Sequence, residues 1–337
     1  MAPRSSSPPR LLRRDRQDRE AEEASLSPAA ARSTLGRGRV RPEEPDTFRT
    51  AYERDRDRIV HSKAFRRLKH KTQVFLNAEG DHYVTRLTHT LQVTQIARAL
   101  AAALRLNEPL AEAIALGHDV GHSPFGHTGE EALAPYFETG WHHAAQSVRI
   151  YEVLEDLNLS WEVRDGIRAH SWHIEPAPAT EEARCVRYAD RIAYLSHDAL
   201  DALRAGWLRP TDFPERTRRR FGEPGRRWIG GFIEAVIEES LAAGEVAMDA
   251  ETLDIMAELR AFMFERVYLA PETRRQQRAA IDLIRALVDW HLDHPTELPT
   301  SYRETEAELV VQVADYVAGM TDRFALAAHQ RILEIRP

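Results

Sequence analysis

The sequence predicts an all-α fold, and three observations lead to that prediction. Apolar residues recur at spacings of three to five through most of the chain, as on one face of a helix. No alternating apolar segment longer than a few residues suggests a strand. Proline and glycine fall between the periodic stretches. With 337 residues, of which 43% are hydrophobic and 29% charged, the chain can build one large core or two smaller ones.

The N-terminal segment, residues 1–47, is rich in Arg, Ser, Pro and Glu and lacks a sustained apolar period. We expect its first two dozen residues to be disordered and the rest to form an irregular arm on the surface. It has no apolar stretch typical of a secretory signal, and no run of 18 apolar residues predicts a membrane span. A single cysteine, Cys185, excludes an internal disulfide. These features predict a cytoplasmic protein.

The first strongly periodic helix is predicted over residues 84–104. Pro109 suits the first turn of a second helix, which continues over 110–116 and ends at Gly117. The stretch 120–129 contains three glycines and a proline and is predicted to be a loop. Further helices are expected over 144–157, 161–170, 180–203, 229–243, 250–269, 271–294 and 301–335.

Residues 209–228 are rich in Arg, Pro and Gly and predict a break between two parts of the chain. The sequence therefore predicts three regions: a disordered or irregular arm over 1–47, a helical domain over 48–207, and a C-terminal helical region over 208–337 that packs on it. No internal repeat is evident.

Histidine is concentrated in the middle of the chain, with 12 of 15 histidines between His61 and His197. The adjacent pair His118-Asp119 comes at a predicted helix end, where the backbone can turn two neighbours toward one ion. His89 and Asp190 lie on other predicted helices and complete a candidate metal site. Imidazole with carboxylate suits Mg, Mn, Fe, Co, Ni or Zn, and the absence of cysteine argues against a closed structural zinc site.

The segment 118–130 places three histidines, His118, His122 and His127, within ten residues on a glycine-containing loop. Glycines allow positive φ angles and a close approach of the backbone to a ligand. A bare His-Asp pair is weak evidence for a metal site, since most such pairs are a solvated acid beside an unrelated histidine. The additional histidines of this loop favour a functional site.

At these motifs the chain resembles the HD-domain proteins, and more narrowly the deoxyguanosine triphosphate triphosphohydrolase family. The resemblance extends from about residue 37 to residue 323 and implies an HD-domain helical bundle with a C-terminal helical extension. The motifs that carry it are RDRDR at 54–58, FRRL at 65–68, KTQVF at 71–75, TRLTH at 85–89, HDVGHSPFGH at 118–127, WHHAAQS at 141–147, YADRIAY at 188–194 and YVAGMTDR at 316–323.

The resemblance implies that water attacks the α-phosphorus of a deoxynucleoside triphosphate (dNTP), releasing deoxynucleoside and inorganic triphosphate. It assigns a divalent metal to His89, His118, Asp119 and Asp190. His127 matches the histidine that protonates the departing 5′ oxygen, and Glu130 can orient it from three residues away. His122 and His143 match further active-site histidines. A loop-structuring role for His127, and a role beside the metal ligands for His122 and His143, remain the alternatives.

The resemblance also implies four substrate contacts. Arg86 lies one helical turn before His89, so both face one site, and its guanidinium suits the α-phosphate. Gln73 matches a residue that contacts the sugar 3′ hydroxyl. Tyr194 and Asp198 follow Asp190 at i+4 and i+8; they match a tyrosine beside the ribose and an acceptor for the 3′ hydroxyl. Core packing is the alternative for Tyr194.

A late segment with Asp315, Tyr316, Asp322 and Arg323 is expected to close the pocket. The partners implied are a dNTP substrate, an allosteric dNTP and further copies of this chain in a homo-oligomer, with no membrane. The net charge of −7 disfavours a protein that coats nucleic acid, although the Arg-rich arm is compatible with a single strand. The sequence does not determine base preference, the native metal, allosteric activation or oligomer size.

Two other functions fit parts of the sequence. One is an HD-type phosphodiesterase or nucleotidase that acts on another nucleotide. The other is a non-enzymatic dNTP sensor or a binder of single-stranded nucleic acid. The complete set of candidate metal ligands and the pair His127 and Glu130 favour an enzyme over a sensor.

Overall fold

The prediction of an all-α fold is confirmed. The computed structural model describes residues 11–73 and 84–335, and within them it contains 16 α-helices and no strand beyond one isolated bridge between Thr72 and Thr85. The helices are α1 Arg16–Glu22, α2 Ala51–His61, α3 Lys63–Arg67, α4 Arg86–Ala103, α5 Glu108–Gly117, α6 His127–Leu133, α7 His143–Arg149, α8 Trp161–Arg168, α9 Glu181–Arg204, α10 Glu215–Phe221, α11 Arg226–Ala243, α12 Ala250–Met263, α13 Pro271–Asp293, α14 Thr300–Arg303, α15 Leu309–Ala318 and α16 Asp322–Ile335.

Helices α4, α5 and α9 form the centre of the molecule, with α2 packed on α5 and α11 on both α4 and α9. Leu100, Ile114 and Ile192 from the three central helices are fully buried, as are Trp228 and Leu259 from α11 and α12. Full burial of each large apolar side chain stabilises the fold by about 1.5–3 kcal/mol. We call this cluster the first core.

A second hydrophobic cluster lies between α6 and the C-terminal helices α13, α15 and α16. It contains Phe125 and Leu133 from the segment around α6, and Ile284, Val317 and Ile332 from the C-terminal helices. We call it the second core. Helix α6 is therefore held by C-terminal residues, although it follows the first-core helix α5 closely in the chain.

The central helices begin at residues whose side chains accept hydrogen bonds from free backbone N–H groups. Thr85 and Thr88 form a capping box at the start of α4, Asn107 accepts from the amide of Leu110 at the start of α5, and Thr180 caps α9. Such caps contribute about 1 kcal/mol each. The predicted helices over 84–104 and 180–203 are confirmed to within two residues at each end.

The prediction of disorder in the first two dozen residues is wrong for residues 15–24. Asp15 and Asp18 form a capping box at the start of α1, and the next turn continues to Ser25. The amide of Arg16 donates to the carbonyl of Thr47, and Nδ2 of Asn107 donates to Glu23. These contacts outweigh the low hydrophobicity of the segment. Residues 1–10, which share that prediction, lie outside the described residues.

Three further predictions of chain organisation need correction. The loop expected over 120–129 ends at Gly126, because α6 begins at His127. The break expected over 209–228 contains helix α10. The single helix expected over 301–335 is three helices, since α15 ends before Gly319 and α16 begins after Thr321, whose hydroxyl accepts from the amide of Phe324.

No helix within residues 11–73 and 84–335 is both long enough and apolar enough to cross a membrane.

Candidate active site

Four side chains from the three central helices converge at one point, as the sequence predicts. His89 lies on α4, His118 directly follows α5, Asp119 is in the next turn, and Asp190 lies on α9. His89 Nε2 is 3.0 Å from Asp190 Oδ1, and His118 Nε2 is 3.4 Å from Asp119 Oδ1. The candidate ligand atoms of His89, His118 and Asp190 all lie within 4.8 Å of one another. His118 belongs to this group and also to a second one with Asp119 and His170, so it connects the two sets of candidate ligands.

The hydrogen bonding of His118 tests whether this cluster suits a metal. Its Nδ1–H donates to the carbonyl of Ala115 at 2.7 Å, which leaves the lone pair on Nε2. Within the described part of the chain, that buried Nε2 has no hydrogen-bond partner. A buried nitrogen lone pair without a partner costs free energy unless a ligand contacts it. The donor set therefore fits a divalent cation.

The two carboxylates of the cluster are held in the ionised form. Burial alone would raise the pKa of Asp119, but the neighbouring His118 and Arg86 outweigh it and hold that pKa well below its usual range. Burial also opposes ionisation of Asp190, but the hydrogen bond with His89 and the nearby His118 lower its pKa to about 2. Ionised carboxylates are the form that binds metal.

Arg86 is almost fully buried and joins the candidate metal site to the chain before α4. Its Nη1 donates to Asp119 Oδ2 at 2.7 Å, and its Nε donates to the carbonyl of Thr72 at 3.3 Å. Its Nη2 is 3.4 Å from the carbonyl oxygen of Gln73. Arg86 therefore holds the Asp119 side chain and the backbone around Gln73 while still lining the cavity.

A second group of side chains surrounds Glu130 on α6. Its Oε2 lies 3.1 Å from His127 Nδ1 and 3.0 Å from His143 Nδ1. His122 stacks on His143 with ring centroids 3.8 Å apart. Burial would raise the pKa of Glu130, but His143 and His127 outweigh it and hold that pKa far below its usual range. Glu130 is therefore an ionised acceptor, and the His127 ring, whose side chain is 77% exposed, keeps Nε2 free.

His170 is a site residue that the sequence analysis missed. It lies just beyond α8, its Nδ1–H donates to the carbonyl of Ile167 at 2.7 Å, and burial followed by the nearby His118 and His143 lowers its pKa to about 3. Its Nε2 is therefore an acceptor, 3.1 Å from His143 Nε2.

These groups open into one cavity of about 620 Å³. Every predicted site residue except His118 lines it, and His118 is buried directly behind the other candidate ligands. Tyr194 and Asp198 face the cavity from α9, beyond Asp190 along the same helix. The predicted residues that line it are Gln73, Arg86, His89, Asp119, His122, His127, Glu130, His143, Asp190, Tyr194 and Asp198.

Two further residues that line the cavity, Tyr268 and Arg191, were not predicted as site residues from the sequence. Tyr268 lies in the π-helical turn that follows α12, and its OH donates to Asp198 Oδ2 at 2.6 Å. Arg191, next to Asp190, places its guanidinium 3.8 Å from the ring centroid of Trp172. Tyr268 is 70 residues from Asp198, so only the folded chain brings the two together.

The expectation that Asp315, Tyr316, Asp322 and Arg323 close the pocket is wrong for the described cavity, since none of them is among its lining residues. The buried carboxylate of Asp315 instead accepts from Arg149 at 2.7 Å and from Gln146 at 2.8 Å, both on or next to α7. The carboxylate of Asp322 accepts from the backbone amides of Thr72 and Phe125.

Replacing Asp198 with asparagine is expected to stabilise the protein at pH 8 but not at pH 4. Burial, only partly offset by the Tyr268 hydroxyl, raises the pKa of Asp198 from 3.8 to about 7. The folded wild type therefore loses stability as pH rises from about 4 to about 7, because over this range the unfolded chain has released the proton that the folded protein must keep or else bury a charge. Asparagine carries no such charge, so the advantage should grow with pH, to at most about 4 kcal/mol.

Thermal unfolding of both proteins in chelator from pH 4 to 8 measures this difference without a contribution from bound metal. A difference in Tm that stays constant across the range would show that Asp198 does not titrate as its burial implies.

The fold and the converging histidine and aspartate side chains define an HD-domain hydrolase. Residues 86–195 match the HD domain, and residues 246–331 match the phosphohydrolase-associated domain. The chain belongs to the deoxyguanosinetriphosphate triphosphohydrolase-like family, as its similarity to the following relatives shows.

The relative from Caldanaerobacter subterraneus subsp. tengcongensis is 48% identical over 320 residues, covering 93% of this chain and 94% of the relative. The relative from Desulfatibacillum aliphaticivorans is 45% identical over 333 residues, covering 91% of this chain and 94% of the relative. Both are named deoxyguanosinetriphosphate triphosphohydrolase-like proteins. Among solved structures, a hypothetical protein from Aquifex aeolicus aligns with a TM-score of 0.46 and 21% identity, over 81% of this chain and 67% of that one.

Proposed function

We propose that this protein hydrolyses deoxynucleoside triphosphates to deoxynucleoside and inorganic triphosphate, with a divalent metal. One observation carries the proposal: the candidate metal ligands, the pair His127 and Glu130, and the sugar-facing candidates Tyr194 and Asp198 all meet around one cavity. The names of the relatives support a nucleoside triphosphate as substrate.

In this proposal His89, His118, Asp119 and Asp190 hold the metal. When bound, a divalent metal supplies a Lewis acid for a phosphoryl oxygen and lowers the pKa of bound water. Both Mg²⁺ and Mn²⁺ are suitable, since imidazole with carboxylate is not selective. The orphaned Nε2 of His118 and the two ionised carboxylates are the features of this chain that suit it.

His127 is the candidate general acid. Its Nδ1–H is directed at Glu130 Oε2, which fixes the ring and leaves Nε2 at the cavity. When the bond between the α-phosphorus and the 5′ oxygen breaks, the electron pair goes to that oxygen. A proton from His127 Nε2 converts it to a hydroxyl, because an alkoxide is a poor leaving group. Glu130 stabilises the charged imidazolium that donates the proton.

The remaining predicted contacts orient the substrate. Arg86 supplies a buried cation on the phosphate side, close to Asp119. Tyr194 and Asp198 lie farther along α9, where they suit the sugar ring and its 3′ hydroxyl. Tyr268 donates to one oxygen of Asp198, which leaves the other oxygen as an acceptor for a sugar hydroxyl.

Incubation of the Mn²⁺-loaded protein with each dNTP, alone and mixed, is expected to yield deoxynucleoside and triphosphate in equal amounts. In ¹⁸O-labelled water, the label should enter the triphosphate, because the proposed attack is at phosphorus and the 5′ oxygen leaves with the nucleoside. Anion-exchange chromatography and mass spectrometry measure both products.

Pyrophosphate with deoxynucleoside monophosphate as the products would contradict the proposed leaving group, because the bond between the α-phosphorus and the αβ-bridging oxygen would then have broken in place of the bond to the 5′ oxygen. Label in the nucleoside hydroxyl would instead place the attack at carbon. Activity only on cyclic nucleotides or monophosphates would favour an HD-type phosphodiesterase or nucleotidase.

A further inference from the structure

The cavity lies between two hydrophobic cores, and each contributes a different part of the proposed chemistry. The candidate metal ligands come from α4, from α9 and from the turn that directly follows α5, and these three helices belong to the first core. His127 and Glu130 lie on α6, whose apolar side belongs to the second core through Leu133. The distance from the candidate acid to the metal ligands therefore depends on what ties the two cores together near the cavity.

Asp322, the first residue of α16, makes such a tie. Its side chain is buried, and its helix α16 packs in the second core. Oδ2 accepts from the amide of Thr72 at 2.8 Å, and Oδ1 accepts from the amide of Phe125 at 3.0 Å. Thus each oxygen holds a backbone segment that is 197 or more residues away in the chain and borders the cavity.

One of these segments is the loop that contains Phe125 and leads to His127. Phe125 has a φ angle of +63° and Gly126 a φ angle of +61°, in the left-handed region that a phenylalanine rarely adopts. A side chain at position 126 would also clash, since a Cβ there would lie 2.6 Å from Arg86 Nη2. Such a conformation persists only when surrounding contacts impose it. The hydrogen bond from Phe125 to Asp322 is one of those contacts.

The second segment carries Gln73, the candidate sugar contact. The Thr72 amide is held by Asp322, while the carbonyl of Thr72 accepts from Arg86 Nε at 3.3 Å. Lys71, immediately before it, is buried and donates from Nζ to the carbonyls of His122 and, at 3.0 Å, Ala318. The same short segment is thereby fixed to the histidine loop and to the C-terminal helices.

Capping of α16 does not account for the two side-chain hydrogen bonds of Asp322. The cap of this helix is Thr321, whose Oγ1 accepts from the amide of Phe324 at 3.3 Å. Both oxygens of Asp322 are directed at other segments. A carboxylate that accepts two backbone N–H groups forms strong, charge-assisted hydrogen bonds.

We propose that Asp322 is a positioning residue, which sets the placement of His127 and Gln73 relative to the candidate metal ligands by holding the backbone at Phe125 and Thr72. The role in turnover rests on the proposed function, whereas the role in holding the backbone does not.

The test compares Asp322→Asn with Thr321→Ala in the full-length, Mn²⁺-loaded protein. Asparagine keeps the size of the side chain and one acceptor oxygen but turns an NH₂ group toward one of the two amides. Thr321→Ala removes the cap of the same helix without touching either segment, so it controls for destabilisation of α16. Four quantities are measured: bound metal, Tm, kcat and KM with the best dNTP, and hydrogen exchange of peptides that cover residues 71–73 and 122–127.

Asp322→Asn is expected to lower kcat at least about tenfold, because small displacements of reacting groups are costly, while bound metal stays at the wild-type level. Exchange should rise in both peptides. Thr321→Ala should lower Tm while kcat stays within about twofold and exchange in these peptides is unchanged.

Equal effects of both variants on kcat and exchange would overturn the proposal, because they would reflect the stability of α16 alone. Unchanged kcat and exchange in Asp322→Asn would overturn it as well. If the wild type hydrolyses no dNTP, the proposed function fails, and the exchange measurement still decides whether Asp322 holds the two segments.

Discussion

Replacing Asp119 with asparagine is expected to lower kcat at least about 1000-fold and to reduce bound metal to a small fraction of the wild-type amount. Asparagine has the same size but lacks the negative charge that balances Arg86 and a divalent cation. Loss of about 4 kcal/mol of transition-state stabilisation corresponds to this factor. Steady-state kinetics with dNTPs and elemental analysis of the dialysed protein measure the two effects.

Asp55→Asn is the matched control. Asp55 is a fully buried carboxylate of the first core that accepts from Arg39 and from the amide of Ser160, and it does not line the cavity. Its replacement should lower Tm but leave metal content and kcat of the folded protein unchanged. Full metal binding by Asp119→Asn would remove Asp119 from the ligand set.

Replacing His127 with alanine is expected to lower kcat by about 10²- to 10⁴-fold, the usual contribution of a general acid, while bound metal is unchanged. The side chain is largely exposed, so its removal should hardly alter Tm. Glu130→Gln should cause a smaller loss of kcat, because the ring stays but loses its anionic partner.

A substrate with sulfur in place of the bridging 5′ oxygen separates acid catalysis from a structural role. A thiolate leaves without protonation, so the defect of His127→Ala should largely disappear with this analogue. A defect of equal size on both substrates would mean that His127 organises the loop and does not donate the proton.

Much of the fold follows from local patterns in the sequence. The long helix α9 repeats apolar residues at helical spacing and has a capping threonine, and both signals lie within its own segment. The start of α6 was missed because Gly126 and Gly129 resemble loop residues. Gly129 instead permits close packing, since a Cβ there would lie 2.2 Å from the carbonyl oxygen of Pro124. In the sequence, a glycine that close packing requires cannot be distinguished from a glycine that a turn requires.

The predicted members of the candidate site come from motifs that mark His89, His118, Asp119 and Asp190, and the structure brings these four together. His170 and Tyr268 have no such marker. Their partners, His143 and Asp198, are 27 and 70 residues away, and only tertiary packing determines which side chains meet over such separations. The contacts of Asp322 extend over still longer separations and were unpredictable for the same reason.

Helix α9 carries Asp190, Tyr194 and Asp198 on one uninterrupted stretch. Eight residues of α-helix span about 12 Å, and each residue turns the chain by about 100°. The interval between the carboxylates of Asp190, a candidate metal ligand, and Asp198, the candidate sugar contact, is therefore fixed by helix geometry, independently of loops or of the two cores. Gain of one residue between positions 190 and 198 would place the two carboxylates about 180° apart around the helix. Loss of one residue would bring them within about 20° of each other and shorten the interval by about 1.5 Å, so the interval changes only in whole-residue steps that also rotate the side chain.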